Sequence, residues 1–297
     1  MGFSGLFKSI FQSSKVDILA RYELLRAAVS GTMSKFYKAR DRETNQVVGL
    51  KILDIAKTEA LESRFRGLKK PSEGEIASQV QHPYVVQTHQ YGITTNNEPF
   101  LVMEFLDGPG LNSLIIGRDP RLEGNRLLLL RQAAEALQAV HAAGFIHRDI
   151  CPRNFVCTPH GKSLKLIDFG LTVPATPEFM QPGNRTGSPN YMAPEVVRRK
   201  ATDARLDIFA FGVTAYELMT FELPWQRGHD GQAAMSHGVQ RPTPMENFRP
   251  SIHPLLKSAI MQCLAAEPGK RFEKVDHFLH AIREVNSIDV EQRHTGA

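Results

Sequence analysis

Cysteine and tryptophan are scarce in this chain, and long apolar runs are missing. Cys151, Cys157 and Cys263 are the only cysteines among 297 residues. An odd number without metal-ligand spacing builds no disulfide framework, so a reducing, cytoplasmic setting is expected. No stretch offers the ~20 consecutive apolar residues of a membrane-spanning helix, and no secretory leader is evident. Internal repeats and low-complexity tracts are absent as well, which excludes a repeat array. Charge of one sign is not concentrated either. The net charge is +5, with basic residues spread along the chain and only short runs such as Arg198-Arg199-Lys200. That reads as a solvated surface rather than a nucleic-acid stripe, so no nucleic-acid partner is expected.

What remains is ordinary for a globular protein: 42% apolar and 23% charged residues, in a length that suits one large or two small domains. Phe3, Leu6, Phe7, Ile10 and Phe11 recur at helical spacing between Gly2 and Phe11. A short helix packed on the domain is expected there; the alternative is a peripheral membrane contact with Lys8 and Lys15 near lipid. Leu6 stands where a myristoylation signal needs Ser or Thr.

From Tyr22 to Leu53 the pattern is strand-like, with the β-rich run Val47–Leu53 following the turn residues Glu43-Thr44-Asn45. Pro99–Met103 reads as another strand. Leu127, Leu130, Ala134, Leu137 and His141 then step by three and four, marking a helix that Gly144 ends. Further helices are expected at Leu206–Thr220 and Ser251–Leu264. A β-rich first third and a helical remainder predict two lobes joined near Glu104–Gly108, with a ligand bound between them.

Chemistry concentrates after Gly144. The run His147-Arg148-Asp149-Ile150-Cys151-Pro152-Arg153-Asn154 is followed, across a hairpin-sized segment with Pro159-His160-Gly161 at its turn, by Asp168-Phe169-Gly170. Phosphoryl transfer needs an acceptor-side carboxylate and oxygen ligands for Mg²⁺ close together. Asp149 and Asn154 on one loop, with Asp168 at the next strand end, can supply them.

These motifs resemble the eukaryotic-type protein kinase family, which also occurs in bacteria, and the match runs from about Tyr22 to Glu284. The resemblance implies a bilobal α+β fold: a small β-rich lobe over 22–106 and a larger helical lobe over 107–288, with the ATP site between them. An N-terminal amphipathic segment, 1–21, and a tail, 289–297, complete the division. It implies Asp149 as catalytic base, Asn154 and Asp168 as ligands of Mg²⁺ (or Mn²⁺), and Lys51 as the lysine on the ATP phosphates. The partner glutamate of that lysine is Glu73, with Glu75 in reserve. Pro71 and Gly74 beside them predict a short or broken helix. Met103 stands at the gatekeeper position, with the backbone of Glu104 and Leu106 toward adenine, and Val156 is a further nucleotide contact. Thr186–Glu195 closes an activation segment of serine/threonine type; Ser188 is expected to face Asp149, Glu195 to pair with Arg271, and Asp207 to brace the catalytic loop. Arg148 is expected to receive a phosphorylated residue, with Thr172, Thr176 and Thr186 as candidates.

The sequence departs from the family at three places. The phosphate loop reads Val29-Ser30-Gly31-Thr32-Met33-Ser34-Lys35-Phe36 and keeps only Gly31 of three glycines, which predicts a poorer lid over the phosphates. Phe36 and Gly49 replace the usual Val and Ala around adenine, a swap that conserves volume if the ring fills the missing methyl's place. Cys151 stands where a lysine is usual, while Arg153 occupies the arginine position of tyrosine kinases. The expected activity is ATP-dependent phosphorylation of Ser/Thr hydroxyls on protein substrates. The alternatives are a pseudokinase that binds nucleotide or partners, and a kinase-fold enzyme for small molecules, which the wording of Ser188–Glu195 disfavours.

Overall fold

Turn chemistry sets up the first sheet. Asp41 ends one strand and accepts the N–H of Glu43 (2.9 Å) on its carboxylate, while Asn45 takes a left-handed conformation (φ 57°). The chain so reversed pairs Ser34–Asp41 with Val47–Leu53. The computed structural model describes residues 15–26, 29–30, 33–65, 67–183, 185–228 and 231–290. They divide into two compact units. One holds the described residues up to Gln79 together with Val86–Leu106; the other holds Val80–Val85 and those from Asp107 on.

In the first unit α1 (Ile18–Arg21) leads into an antiparallel sheet of β1 (Tyr22–Leu24), β2 (Val29–Ser30), β3 (Ser34–Asp41), β4 (Val47–Leu53), β5 (Thr88–Ile93) and β6 (Pro99–Glu104). The order is β1-β3-β4-β6-β5, with β2 also on β3. Alternation puts Ala39, Val48, Leu50, Phe100 and Val102 on one face, where Ile18 and Tyr22 close the core. Residues 16–21 are therefore packed structure; the helical stripe expected between Gly2 and Phe11 lies outside the described residues.

Two helices, α2 (Ile55–Glu62) and α3 (Glu73–Gln79), connect β4 to β5. The short α3 expected from Pro71 and Gly74 is present. Its start is fixed by a reciprocal cap: Ser72 N–H donates to Glu75 Oε2 (2.6 Å) and Glu75 N–H donates to Ser72 Oγ (3.3 Å). Gly74 is needed for close approach. A Cβ there would lie 2.4 Å from Tyr91 Cβ on β5, so any side chain would push α3 off the sheet.

The second unit contains α4 (Leu111–Ile116), α5 (Arg126–Ala142), β7 (Phe145–Ile146), β8 (Phe155–Cys157), β9 (Leu164–Leu166), β10 (Val173–Pro174), α6 (Pro194–Val197), α7 (Arg205–Thr220), α8 (Gly231–Ser236), α9 (Pro254–Cys263) and α10 (Val275–Ala281). Every residue of α7 from Leu206 to Thr220 is buried, so it is the central helix, with α5 and α9 packed against it. Its threonine hydroxyls are satisfied within the helix, Thr214 on the Ala210 carbonyl and Thr220 on that of Tyr216, while the Tyr216 hydroxyl donates to the Thr243 carbonyl. Helix α9 begins later than expected because Pro254 sits at its first turn and His253 caps it. Among the described residues no helix is long and apolar enough to cross a membrane.

Candidate active site

Helix α5 stops at Gly144 (φ 81°) and the chain enters β7, held antiparallel to β10. The next turn is clamped from below. Asp207, wholly buried near the start of α7, accepts the N–H groups of His147 (2.7 Å) and Arg148 (2.8 Å), and His141 Nε2 lies 2.9 Å from its Oδ2. Burial alone would push this carboxyl up, but His141, His147 and the backbone donors outweigh it and hold its pKa below the usual range. Both oxygens are bound, so the brace fixes the loop in position and direction. Arg148 is held at φ 70°, a left-handed strain of about 1–3 kcal/mol that the brace must offset. The expected role of Asp207 is borne out.

Asp149 follows. Its Oδ1 accepts both the N–H (2.9 Å) and the hydroxyl (2.7 Å) of Ser188, and its Oδ2 accepts Asn154 Nδ2 (3.1 Å). Asn154 Nδ2 also donates to the Asp149 carbonyl (2.7 Å). That engages the amide nitrogen with Asp149 and turns the amide oxygen away from that carboxylate. The Asn154 carbonyl accepts Ile167 N–H (2.8 Å), which ties the end of the β8–β9 hairpin to the loop and sets Asp168 beside Asn154 in chain geometry. Asp168 is the second left-handed residue here (φ 69°), and Gly170 N–H donates to its Oδ1 (3.1 Å). Phe169 is buried, its ring 5.5 Å from that of His147.

Asn154 and Asp168 both offer oxygen donors, the donor chemistry of a hard cation. Among the described residues no three His, Cys, Asp or Glu side chains group as a metal site. A pair alone still fits Mg²⁺, which takes one or two protein oxygens and completes its shell with phosphate and water.

Cys151 is fully buried, its Sγ 3.7 Å from Ser188 Oγ, and burial raises its thiol to about 11, so it is neutral at pH 7. Arg153 reaches the same hydroxyl, with Nη2 2.8 Å from Ser188 Oγ. The guanidinium is therefore one hydroxyl away from the Asp149 carboxylate. Beside this group lies a cavity lined by Arg148–Ile150, Thr186–Ser188, Tyr191–Ala193, Val196, Leu206 and Ala210.

The rest of the segment is anchored to the core. Glu195 and Arg271 form a buried two-pronged pair (2.7 and 2.8 Å), and Arg271 also donates to the carbonyls of Arg205 and Ala265. Of the threonines expected to take phosphate, Thr176 is exposed and Thr186 half-buried. Thr172 is corrected: it is fully buried with its hydroxyl on the His147 carbonyl, so no enzyme can reach it in this state. Sequence reading missed the partners of Tyr191. Its hydroxyl donates to Glu217 (2.5 Å), whose other oxygen takes Arg227 Nη2 (2.9 Å).

In the first unit Lys51 Nζ lies 2.5 Å from Glu73 Oε1, both side chains nearly buried. Glu75, the reserve, is spent on the α3 cap. Phe36 faces Lys51 across β3–β4, and Gly49 faces Met103 across β4–β6. A Cβ on Gly49 would lie 2.8 Å from Phe36 Cζ and 3.2 Å from Met103 Cγ, so the ring does occupy the missing methyl's place. Glu104 is fixed to Gln87 by its N–H (2.9 Å) and by Oε1 (2.7 Å). Leu106 is half-buried, as is Val156, which pairs with Lys165 in the second unit. Val29 pairs with Phe36 through its backbone; Gly31 lies outside the described residues.

A family model for the protein kinase domain matches residues 22–282. The chain is 29% identical over 288 residues to the serine/threonine-protein kinase pkn3 of Myxococcus xanthus, covering 93% of this chain and 51% of that protein. It is 30% identical over 281 residues to the serine/threonine-protein kinase PknA of Mycobacterium tuberculosis, covering 92% and 63%. It is 31% identical over 271 residues to the serine/threonine-protein kinase Pkn1 of Myxococcus xanthus, covering 88% and 38%. The chain thus spans less than two thirds of the length of each of these relatives. With a braced Asp-Asn loop, an Asp-Phe-Gly strand end and a lysine–glutamate pair matched over 22–282, the chain belongs to the protein kinase domain family.

Proposed function

We propose that this chain transfers the terminal phosphoryl group of ATP to serine and threonine hydroxyls of proteins, in the cytoplasm, where three buried free thiols are at home. The observation that carries this reading is the Asp149 carboxylate, bound by Ser188 on one oxygen and Asn154 on the other, beside a small cavity that the segment carrying Ser188 helps to line. Asp149 orients the acceptor hydroxyl and takes its proton. Lys51, oriented by Glu73, neutralises the ATP phosphates. Asn154 and Asp168 would hold Mg²⁺ or Mn²⁺, which supplies charge neutralisation at the phosphates when bound. Arg153 is the cation that replaces the lysine missing at Cys151. Val29, Gly31, Phe36, Gly49, Met103, Glu104, Leu106 and Val156 make the nucleotide contacts.

The test is phosphate incorporation from labelled Mg²⁺-ATP into the chain itself and into a serine/threonine peptide library, compared with Asp149→Asn. Transfer by the parent and its loss in the folded variant are expected. A parent that transfers nothing with Mg²⁺ or Mn²⁺ overturns the reading in favour of a binding scaffold.

A further inference from the structure

The acceptor cavity has a wall whose support comes from far along the chain. Tyr191 and Met192 belong to that wall, Asn190 directly precedes them, and each of the three is held by a residue that follows α7 or belongs to it. Gly228 N–H donates to Asn190 Oδ1 (3.1 Å). His237 Nδ1 donates to the Met192 carbonyl (2.8 Å). Tyr191 donates to Glu217 Oε2 (2.5 Å), and Arg227 Nη2 lies 2.9 Å from Glu217 Oε1. Trp225 joins these supports: its ring lies 4.5 Å from His237 and stacks on Phe209 at 5.8 Å.

Glu217 is the centre of this arrangement. Its side chain is 1% exposed, and burying a carboxylate is costly unless a cation and hydrogen bonds offset the lost solvation. Arg227, half exposed at 50%, is the cation bound to it. Without Arg227 the buried charge is uncompensated, and the Tyr191 hydroxyl loses the fixed acceptor that sets its ring against the cavity.

We propose that the segment 221–228 is a clamp on the acceptor site, and that Arg227 is a positioning residue for the protein substrate, acting through Glu217 on Tyr191. This rests on the cavity being the acceptor site. The clamp touches the peptide-binding wall and none of the residues assigned to nucleotide, so it governs acceptor binding rather than phosphoryl transfer.

The test uses the full chain with Arg227→Ala and Arg227→Lys. The acceptor-peptide KM should rise about tenfold in Arg227→Ala, while kcat and the nucleotide affinity stay within about twofold. Arg227→Lys, or millimolar methylguanidinium added to Arg227→Ala, should recover most of the loss, which a general folding defect would not allow. Trp225, the chain's single tryptophan, gives a readout that needs no turnover: its emission should shift red in Arg227→Ala and return with methylguanidinium. An unchanged peptide KM overturns the clamp, and so does a KM rise matched by kcat and nucleotide losses without rescue. If the parent phosphorylates nothing, the kinase reading falls. The substrate-positioning role falls with it, and Trp225 emission that moves and is rescued then shows only that Arg227 supports this region.

Discussion

The two units support their functional groups in different ways. In the first, Lys51 is ion-paired with Glu73, at the start of a seven-residue helix, and the neighbouring surface is shaped by packing between Phe36 and Gly49. In the second, Asp149 sits in a loop whose backbone N–H groups, side-chain amide and hydroxyl contacts all cross-link. Each unit also absorbs its departure from the family in its own currency. The first exchanges volume for volume; in the second, the proposed exchange moves a charge from position 151 to position 153. Packing tolerates swaps that keep the total, whereas a charge must reach the right atom, and Arg153 comes as near as the Ser188 hydroxyl that Asp149 also holds.

Removing Asp168, the proposed cation ligand, is the largest intervention. Asp168→Ala should abolish metal-dependent transfer while circular dichroism and thermal unfolding stay near the parent's, because the side chain's task is charge rather than packing. Near-parental turnover would remove Asp168 from the site. Next comes the charge relocation. Arg153→Ala should lower kcat by about 10²-fold, the scale of losing one preorganised charge, with a smaller effect on ATP affinity. Cys151→Lys in that background should restore part of the rate. If Arg153→Ala turns over like the parent, the second unit has not compensated at all.

The volume exchange should give a smaller effect. Gly49→Ala places a methyl against the Phe36 ring and should weaken nucleotide binding by ~1–3 kcal/mol. Phe36→Val with Gly49→Ala should regain it, and titration showing that the two changes simply add would separate the two residues.

The smallest concerns pH. Burial lowers the pKa of His237 below its ordinary value, despite the opposing bond to the Met192 carbonyl. The unfolded chain therefore takes up a proton that the folded chain refuses. This contribution to stability is complete above about pH 6.5 and is lost as pH falls from there toward the folded value. His237→Asn, which keeps a donor for Met192 without titrating, should flatten the fall in melting temperature between about pH 6.5 and 5. An equal slope in both proteins would exclude His237 as its source.

Local signals explain what could be read from the chain alone. Helix α5 carried its periodicity and its glycine stop, and β4 its β-branched run, so both were legible. The catalytic motifs were legible because spacing on one loop is itself a local property. The Ser72–Glu75 cap was also written in the sequence, as a serine three residues before a glutamate, and it explains why α3 forms beside Pro71. Strands β7 to β10 are two or three residues long, too short for any period to show. Helix α7 is largely apolar and buried on every side, so its pattern marks a helix without saying which side meets what. The contacts Asp207 makes with His141 and His147, and those among Tyr191, Glu217 and Arg227, join residues that only the fold brings together, so no window of sequence contains them. The same is true of the burial that removes Thr172 from the phosphorylation candidates.

The brace on the catalytic loop also has a consequence for synthesis. Asp207 holds the N–H of His147 from 60 residues downstream, and Arg271 locks Glu195 from 76 residues downstream. At about 5–20 residues per second, a nascent chain carries its catalytic aspartate for roughly 3 to 12 s before the residue that sets its loop has been made. The segment that presents the acceptor wall waits longer still for Arg271. A polypeptide still on the ribosome therefore holds the chemistry of the site without its geometry, and competence arrives only near the completion of this domain.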